Sequence, residues 1–395
     1  MPVSITSNGI VLPSGTLSGA QSAGAYKNLI MNGDFRVHQR VVSTYALNDV
    51  DAGRFFDRWR CYIPLGVTAT LSRQAENQFP GYYFRRTINT VASNSTAYDM
   101  IAHQRIDKQM LSKLSIGSLT ANPNGLFTVN FWVRSSIIGT ASVAINLSYN
   151  GGFTNRWAFA PYEITQANAW QYRSVVFSAS DTFNPDASTY SPIDVPITVD
   201  SMNVYFIGYG GTFGSGTSYD SNSYMSYNTF MHSTMKLCRN GGNTNFHNTV
   251  GATFDLARIQ LESGDTSSGF SDFEFVPYAL ELRRCQRYFQ KSYSSSDPIG
   301  SFTYNGANVL RFGTLTNWSG YYPVQFRAGR MAFSPTVTIY DGAGNVGKMT
   351  MDGTHNACSA TLSATNEAGT MVYTLDSPIA NHYGLWFHWT AFADV

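Results

Sequence analysis

Apolar and polar residues alternate along much of this chain. Phe127-Thr-Val-Asn-Phe-Trp-Val-Arg-Ser reads as a strand with one apolar face, because successive side chains of extended backbone point to opposite sides. The same pattern predicts strands in Ala141-Ser-Val-Ala-Ile-Asn-Leu-Ser-Tyr, Tyr172-Arg-Ser-Val-Val-Phe-Ser, Met202-Asn-Val-Tyr-Phe-Ile-Gly and Thr253-Phe-Asp-Leu-Ala-Arg-Ile-Gln-Leu. Ser334-Pro-Thr-Val-Thr-Ile-Tyr and Gly384-Leu-Trp-Phe-His-Trp-Thr-Ala-Phe extend it towards the C-terminus, and the apolar character of the latter predicts a packed chain end. Turn formers such as Asn122-Pro-Asn-Gly, Asn150-Gly-Gly and Asn240-Gly-Gly separate the runs. Many short strands divided in this way predict a mainly β protein built as a sandwich. Two helices interrupt it. One is expected at Asp107-Lys-Gln-Met-Leu-Ser-Lys-Leu. The other follows Pro277, with proline at the first helical position, through Tyr-Ala-Leu-Glu-Leu-Arg-Arg-Cys-Gln-Arg-Tyr-Phe. No heptad or solenoid repeat is evident.

Two segments break the pattern. Residues 1–27 are rich in Ser, Gly, Thr and Ala and too poor in apolar residues to fold alone. They read either as a disordered tail or as an extended arm that orders on docking, with Ile10, Val11 and Leu12 as its attachment residues. Residues 210–227 alternate small residues with tyrosines and read as a long exposed loop.

Composition sharpens the picture. Charged residues make up 13% of the 395, about half the usual share, so Ser, Thr, Asn, Gln and Tyr must keep the surface polar. Aromatic residues reach 14%, a content that favours strands and supplies flat faces for stacking. Net charge is +1 with no basic tract, which argues against a nucleic-acid binder. Cys61, Cys238, Cys285 and Cys358 lack any metal-knuckle spacing and read as free, buried thiols of a protein made in a reducing cytosol. No run of 18 apolar residues and no charged-then-apolar leader occurs, so neither membrane insertion nor a secretion signal is expected.

Asn28-Leu-Ile-Met-Asn-Gly-Asp-Phe, then Phe56-Asp-Arg-Trp, then Gly251-Ala-Thr-Phe-Asp-Leu-Ala-Arg-Ile-Gln-Leu-Glu-Ser-Gly and Phe273-Glu-Phe-Val-Pro-Tyr-Ala-Leu-Glu carry a resemblance. Over about residues 28–292 the chain resembles the carbohydrate-binding-module-like domains of bacteriophage tail-fibre and other virion proteins. The resemblance implies a jelly-roll sandwich at 28–276, a linker helix at 277–292 and a smaller C-terminal β domain after it at 293–395, to which the composition of 1–27 adds the N-terminal arm. It implies a homotrimeric fibre on the virion, of tail or head, made in the host cytoplasm and released by lysis. So little charge beside so many rings points the same way, because a closed cyclic oligomer covers apolar patches. Structural calcium on Asp34, Asp57 or Asp255 is an option that the resemblance raises, and it requires several oxygens converging on one point. No other cofactor is expected. In the opening motif the glycine is expected to allow a tight turn and Asp34 to accept backbone N–H groups, with Phe35 anchoring a first strand.

Candidate chemistry follows from side-chain type. Sugars offer an apolar C–H face to a ring and hydroxyls to short polar groups. Asn155-Arg-Trp157, the stretch holding Tyr219, Tyr224 and Tyr227, and Thr316-Asn-Trp318-Ser-Gly-Tyr321-Tyr322 mix these types and are the candidate glycan contacts. The same rings could instead pack between subunits. An enzyme of the tailspike depolymerase type is the alternative from a different class, and its reaction needs two carboxylates about 5–10 Å apart. No GxSxG, HExxH or P-loop occurs, and the seven histidines show no ligand spacing. The expectation is therefore a non-enzymatic attachment protein with three kinds of partner: its own copies, other virion proteins and a host surface glycan.

Overall fold

A computed structural model describes residues 4–6, 9–12, 15–16, 26–48, 53–78, 80–92, 99–111, 126–149, 154–178, 199–209, 225–227, 244–267, 271–311, 321–351, 357–374 and 384–393. Two antiparallel sheets face each other across one core. The first runs Gln171–Ser178, Leu126–Ser135, Thr253–Ser263, Tyr82–Thr90, Thr68–Ala75, Thr44–Asn48. The second runs Met225–Tyr227, Thr154–Ile164, Gly139–Tyr149, Val199–Tyr209, Asp99–Asp107, Trp59–Tyr62, Gly53–Phe56. Strands distant in sequence lie side by side, as the crossovers of a jelly roll require. The alternation read from sequence is what fills the space between the sheets. Phe127, Val129, Phe131 and Val133 are fully buried, and the Phe131 ring meets Phe206 and Tyr162 of the opposite sheet edge-on at 5.0 and 4.9 Å. Cys61 and Cys285 are free and buried, as expected, and Cys358 is buried too; Cys238 lies outside the described residues.

The strand Thr253–Ser263 departs from simple alternation. Phe254 and Leu256 face the core, but so do Ile259 and Leu261, of the opposite parity. A bulge makes the switch. Pairing with Leu126–Ser135 slips between Asn130↔Gln260 and Trp132↔Ala257, and Arg258 adopts φ +48°. The bulge receives the opening motif: Ile259 N–H donates to Gly33 O at 2.9 Å. A Cβ on Gly33 would stand 2.0 Å from Ile259 O, so this glycine is there for close backbone approach. That corrects the expected role. The left-handed backbone of the turn falls on Asn32 and Phe35, both at φ +55°, and Phe35 is a loop residue whose ring sits among Phe56, Trp59 and Phe84. Asp57 holds a turn, accepting from Gln39 N and Nε2 at 2.7 Å each.

The segments that carry the family resemblance fasten to one another. Asn28 Oδ1 accepts from Ile30 N and Leu261 N, while Asn28 N donates to Glu274 Oε2 at 2.8 Å. Asn32 N donates to Glu281 Oε1, and Asn32 O accepts the Trp59 indole N–H at 2.9 Å. Glu281 lies on the helix Tyr278–Gln286, where it also accepts from Arg284. The helix is shorter than the 277–292 expected. Pro277 caps it from outside, and the chain leaves at Arg287 because Phe289–Lys291 enters the next sheet. Tyr288 closes the junction: its hydroxyl donates to Asp107 Oδ2, and the Arg58 guanidinium lies 3.4 Å over its ring. The earlier helix is described as Lys108–Leu111.

A third sheet forms the C-terminal unit around one spine, Gly384–Phe392. Eight of its nine residues are buried. Phe289–Lys291 and Asn308–Arg311 pair with it, as do Thr336–Tyr340 and Lys348–Met351. Ala357–Asn366, Gly369–Thr374 and Tyr321–Gln325 continue the sheet outward. Near the N-terminus, Ser4–Thr6, Gly9–Leu12 and Gly15–Thr16 pair as a three-stranded meander that includes Ile10, Val11 and Leu12. Among the described residues no helix is long and apolar enough to cross a membrane.

Candidate functional site

Of the rings singled out by sequence, Tyr219, Tyr224 and Trp318 lie outside the described residues. Residues 225–227 are not loop: Met225–Tyr227 adds an edge strand to the second sheet, pairing Asn155 with Tyr227 and Trp157 with Met225. The backbone thus brings Trp157 and Tyr227 to one sheet edge. In the C-terminal unit the pleat of Tyr321–Gln325 separates two neighbours. Tyr322 turns inward and meets Phe387 edge-on at 5.8 Å. Tyr321 turns outward, 61% exposed, with its ring 5.1 Å from that of Tyr373 on the paired strand. Pro323 sits on this edge strand, where a missing N–H does no harm.

The outer face of the first sheet carries a second group of rings, and it is internally satisfied. Arg85 grips Asp255 with two bonds of 2.8 Å, and Arg134 adds a third at 2.7 Å. Those hydrogen bonds to Asp255 hold Arg85 above its ordinary pKa. The Arg134 guanidinium lies 4.8 Å over Tyr83 and 4.4 Å over Trp170, whose indole N–H donates to Glu76 at 2.6 Å. Beside them Trp132 meets Tyr172 at 5.8 Å. Every carboxylate in this layer is taken by a cation or an indole, so it is a braced wall of the sandwich.

The three aspartates raised as calcium ligands are likewise engaged and do not converge. Asp255 holds two arginines, Asp34 pairs with Arg36, and Asp57 holds Gln39 with Arg40 at 3.7 Å. Burial nevertheless raises the Asp34 carboxyl above its usual range. Among the described residues no three His, Cys, Asp or Glu side chains group to hold a metal ion.

Sequence reasoning passed over one ring-bearing loop. Ser301-Phe-Thr-Tyr-Asn-Gly has the same mixture of rings and short polar residues as the stretches chosen, and its Phe302 and Tyr304 are 61% and 49% exposed. The alternation was the available signal. It was masked by the lack of any apolar run around it.

No protein-family model matches the chain, and no curated protein matches it in sequence. Among solved structures, a protein from Bacteroides thetaiotaomicron suggested to bind sugar is 14% identical with a TM-score of 0.34, covering 60% of this chain and 100% of that one. The enzymatically active domain of tailspike protein 4 from bacteriophage CBA120 is 13% identical with a TM-score of 0.29, covering 60% of this chain and 22% of that one. The tandem CBM22 domains of Xyn10C from Paenibacillus barcinonensis are 11% identical with a TM-score of 0.27, covering 91% of each chain.

Proposed function

We propose that this chain is a subunit of a bacteriophage virion fibre, of tail or head, that attaches the particle to its host by binding surface glycan without cleaving it. In this reading residues 1–27 are the arm that docks on other virion proteins, the sandwich at 28–276 is the shaft module, and the unit at 293–395 is the tip. The clasp at 277–292 holds tip to shaft, and three copies assemble. The observation that carries the reading is the exposed Tyr321 ring on the edge strand of the tip, backed by the half-buried Tyr373 ring of the strand beside it. An exposed, sheet-mounted ring braced by a second one suits the apolar face of a sugar, and a surface with so few charges suits an uncharged ligand.

The test uses surface polysaccharides purified from a panel of bacteria. Retention of the full chain on at least one of them, with no new reducing ends after long incubation, is the expected result. Appearance of reducing ends would overturn the binding-only reading. Retention on none would overturn the attachment reading.

A further inference from the structure

We propose that Phe302 and Tyr304 form a stacking platform for the apolar face of an uncharged pyranose sugar. This rests on the attachment reading and names a site within it. Both rings stand on the same side of the loop at 298–307, because exposure alternates along it: Phe302 and Tyr304 point out, while Ser301 and Thr303 are half-buried. Beneath them lies the fully buried Trp386 of the spine strand. Its ring is 4.3 Å from Tyr304 at a tilt of 36°, and 5.9 Å from Phe302, nearly edge-on.

The loop is held in place from several directions. Ser301 Oγ donates to Pro298 O at 2.7 Å, Asn305 N to Thr303 Oγ1 at 3.0 Å, and Ala307 N to Tyr304 O at 3.0 Å. Arg327 Nη2 donates to Gly306 O at 2.6 Å while its Nη1 holds Ser292 O. His388 reaches from the spine, its Nε2 2.8 Å from Thr303 O. A carbonyl only accepts, so Nε2 carries the proton and Nδ1 accepts from Ser292 Oγ–H at 3.0 Å. The His388 ring also stacks on Tyr293 at 3.8 Å. Rings mounted on so fixed a backbone lose little freedom when a ligand lands on them.

The chemistry around the rings selects the ligand. Residues 298–310 contain no charged side chain, and the two charged groups that touch the loop are engaged, Arg327 by Gly306 O and Ser292 O and Asp297 by the Thr303 hydroxyl. Asn305, exposed beside Tyr304, offers an amide that both donates and accepts, and Tyr304 adds a hydroxyl. The two rings stand 6.4 Å apart and nearly perpendicular, so a pyranose lays its flat C–H face on one ring, meets the other along its edge and turns its hydroxyls to the amide. A second copy of this chain fits worse. Two side chains of ~200 Å² each, about half exposed, offer roughly 200 Å² together, about a quarter of what one partner contributes to a stable interface.

Saturation-transfer NMR and titration with gluco-, galacto- and mannotriose test the assignment on the full chain. The wild-type protein is expected to bind at least one triose, the Phe302→Ala/Tyr304→Ala variant to lose at least tenfold in affinity, and Tyr304→Phe to keep most of it. Phe302→Ala alone replaces the double variant if that one fails to fold. Binding by wild type that the ring deletions leave unchanged would overturn the platform while leaving the attachment reading intact. A fall in oligomeric mass on ring deletion, with binding unchanged, would assign the rings to a subunit contact and overturn it too. No binding of any triose by wild type would overturn the platform, whereas the attachment reading fails only if retention on polysaccharide is also absent.

Discussion

His38 sits against the rings of Phe55 and Phe56, at 5.2 and 5.6 Å, with its Nε2 buried and unbonded. Burial pushes its pKa down to about 4, and the Arg73, Arg40 and Lys291 charges push the same way against the opposing pull of Asp57. The sign follows directly. In the unfolded chain His38 takes up a proton near pH 6.5, well before the folded protein does, so stability is lost as pH falls from about 6.5 to about 4. His38→Phe keeps a ring in the site and removes the titrating group. Its urea-unfolding midpoint is expected to fall less than wild type over that window, a difference on the order of 1 kcal/mol once solvent screening is allowed for. Parallel acid limbs for the two proteins would refute this account. At neighbouring Gly33 the constraint is steric: any side chain there meets the Ile259 carbonyl, so the motif's glycine is set by the bulge it faces.

Strands were the most legible elements, because each had to be apolar on one face, or on both where it runs through the middle of a unit. The pattern over Gly384–Phe392 matched the observed strand end to end, and that over Leu126–Ser135 missed one residue. What hid from the sequence was anything set by a distant partner. The parity switch at Arg258 depends on which strand lies alongside, and the early end of the helix depends on Phe289 having a place in the C-terminal sheet. Of the candidate site, Tyr321 was legible as an exposed ring, but its partner Tyr373 was not, since only pairing brings them together. The junction shows the same dependence. Tyr288, at the end of the helix, reaches Asp107 at the end of the strand Asp99–Asp107, across 181 positions of sequence. Tyr288→Phe leaves that carboxylate without its buried donor, and the expected cost is about 1.5–3 kcal/mol in denaturant unfolding. The expected form of the loss is a sandwich and a C-terminal unit that unfold in separate steps, read by following the tryptophans of each. A single transition at the wild-type midpoint would show that the clasp does not depend on Tyr288.

At the scale of the whole molecule, the surface poses a solubility problem. With 13% charged residues and a net charge of +1, self-repulsion is weak. Yet Phe275, Tyr278 and Leu280 are exposed at and just before the helix Tyr278–Gln286. The meander at Ser4–Thr16 has strands of only two to four residues, too short to be stable without something to pack on. Self-association by closed symmetry meets both needs, burying apolar groups and giving each arm neighbours while leaving no growing end. Three chains is the expected mass by multi-angle light scattering. Contacts that are apolar and nearly uncharged should also make that mass insensitive to salt, up to about 1 M, where exposed ion pairs are screened within ~3 Å. A stable single-chain mass at low salt would remove the trimer. A trimer that dissolved as salt rose would mean that the few charges, and not the rings, hold the subunits together.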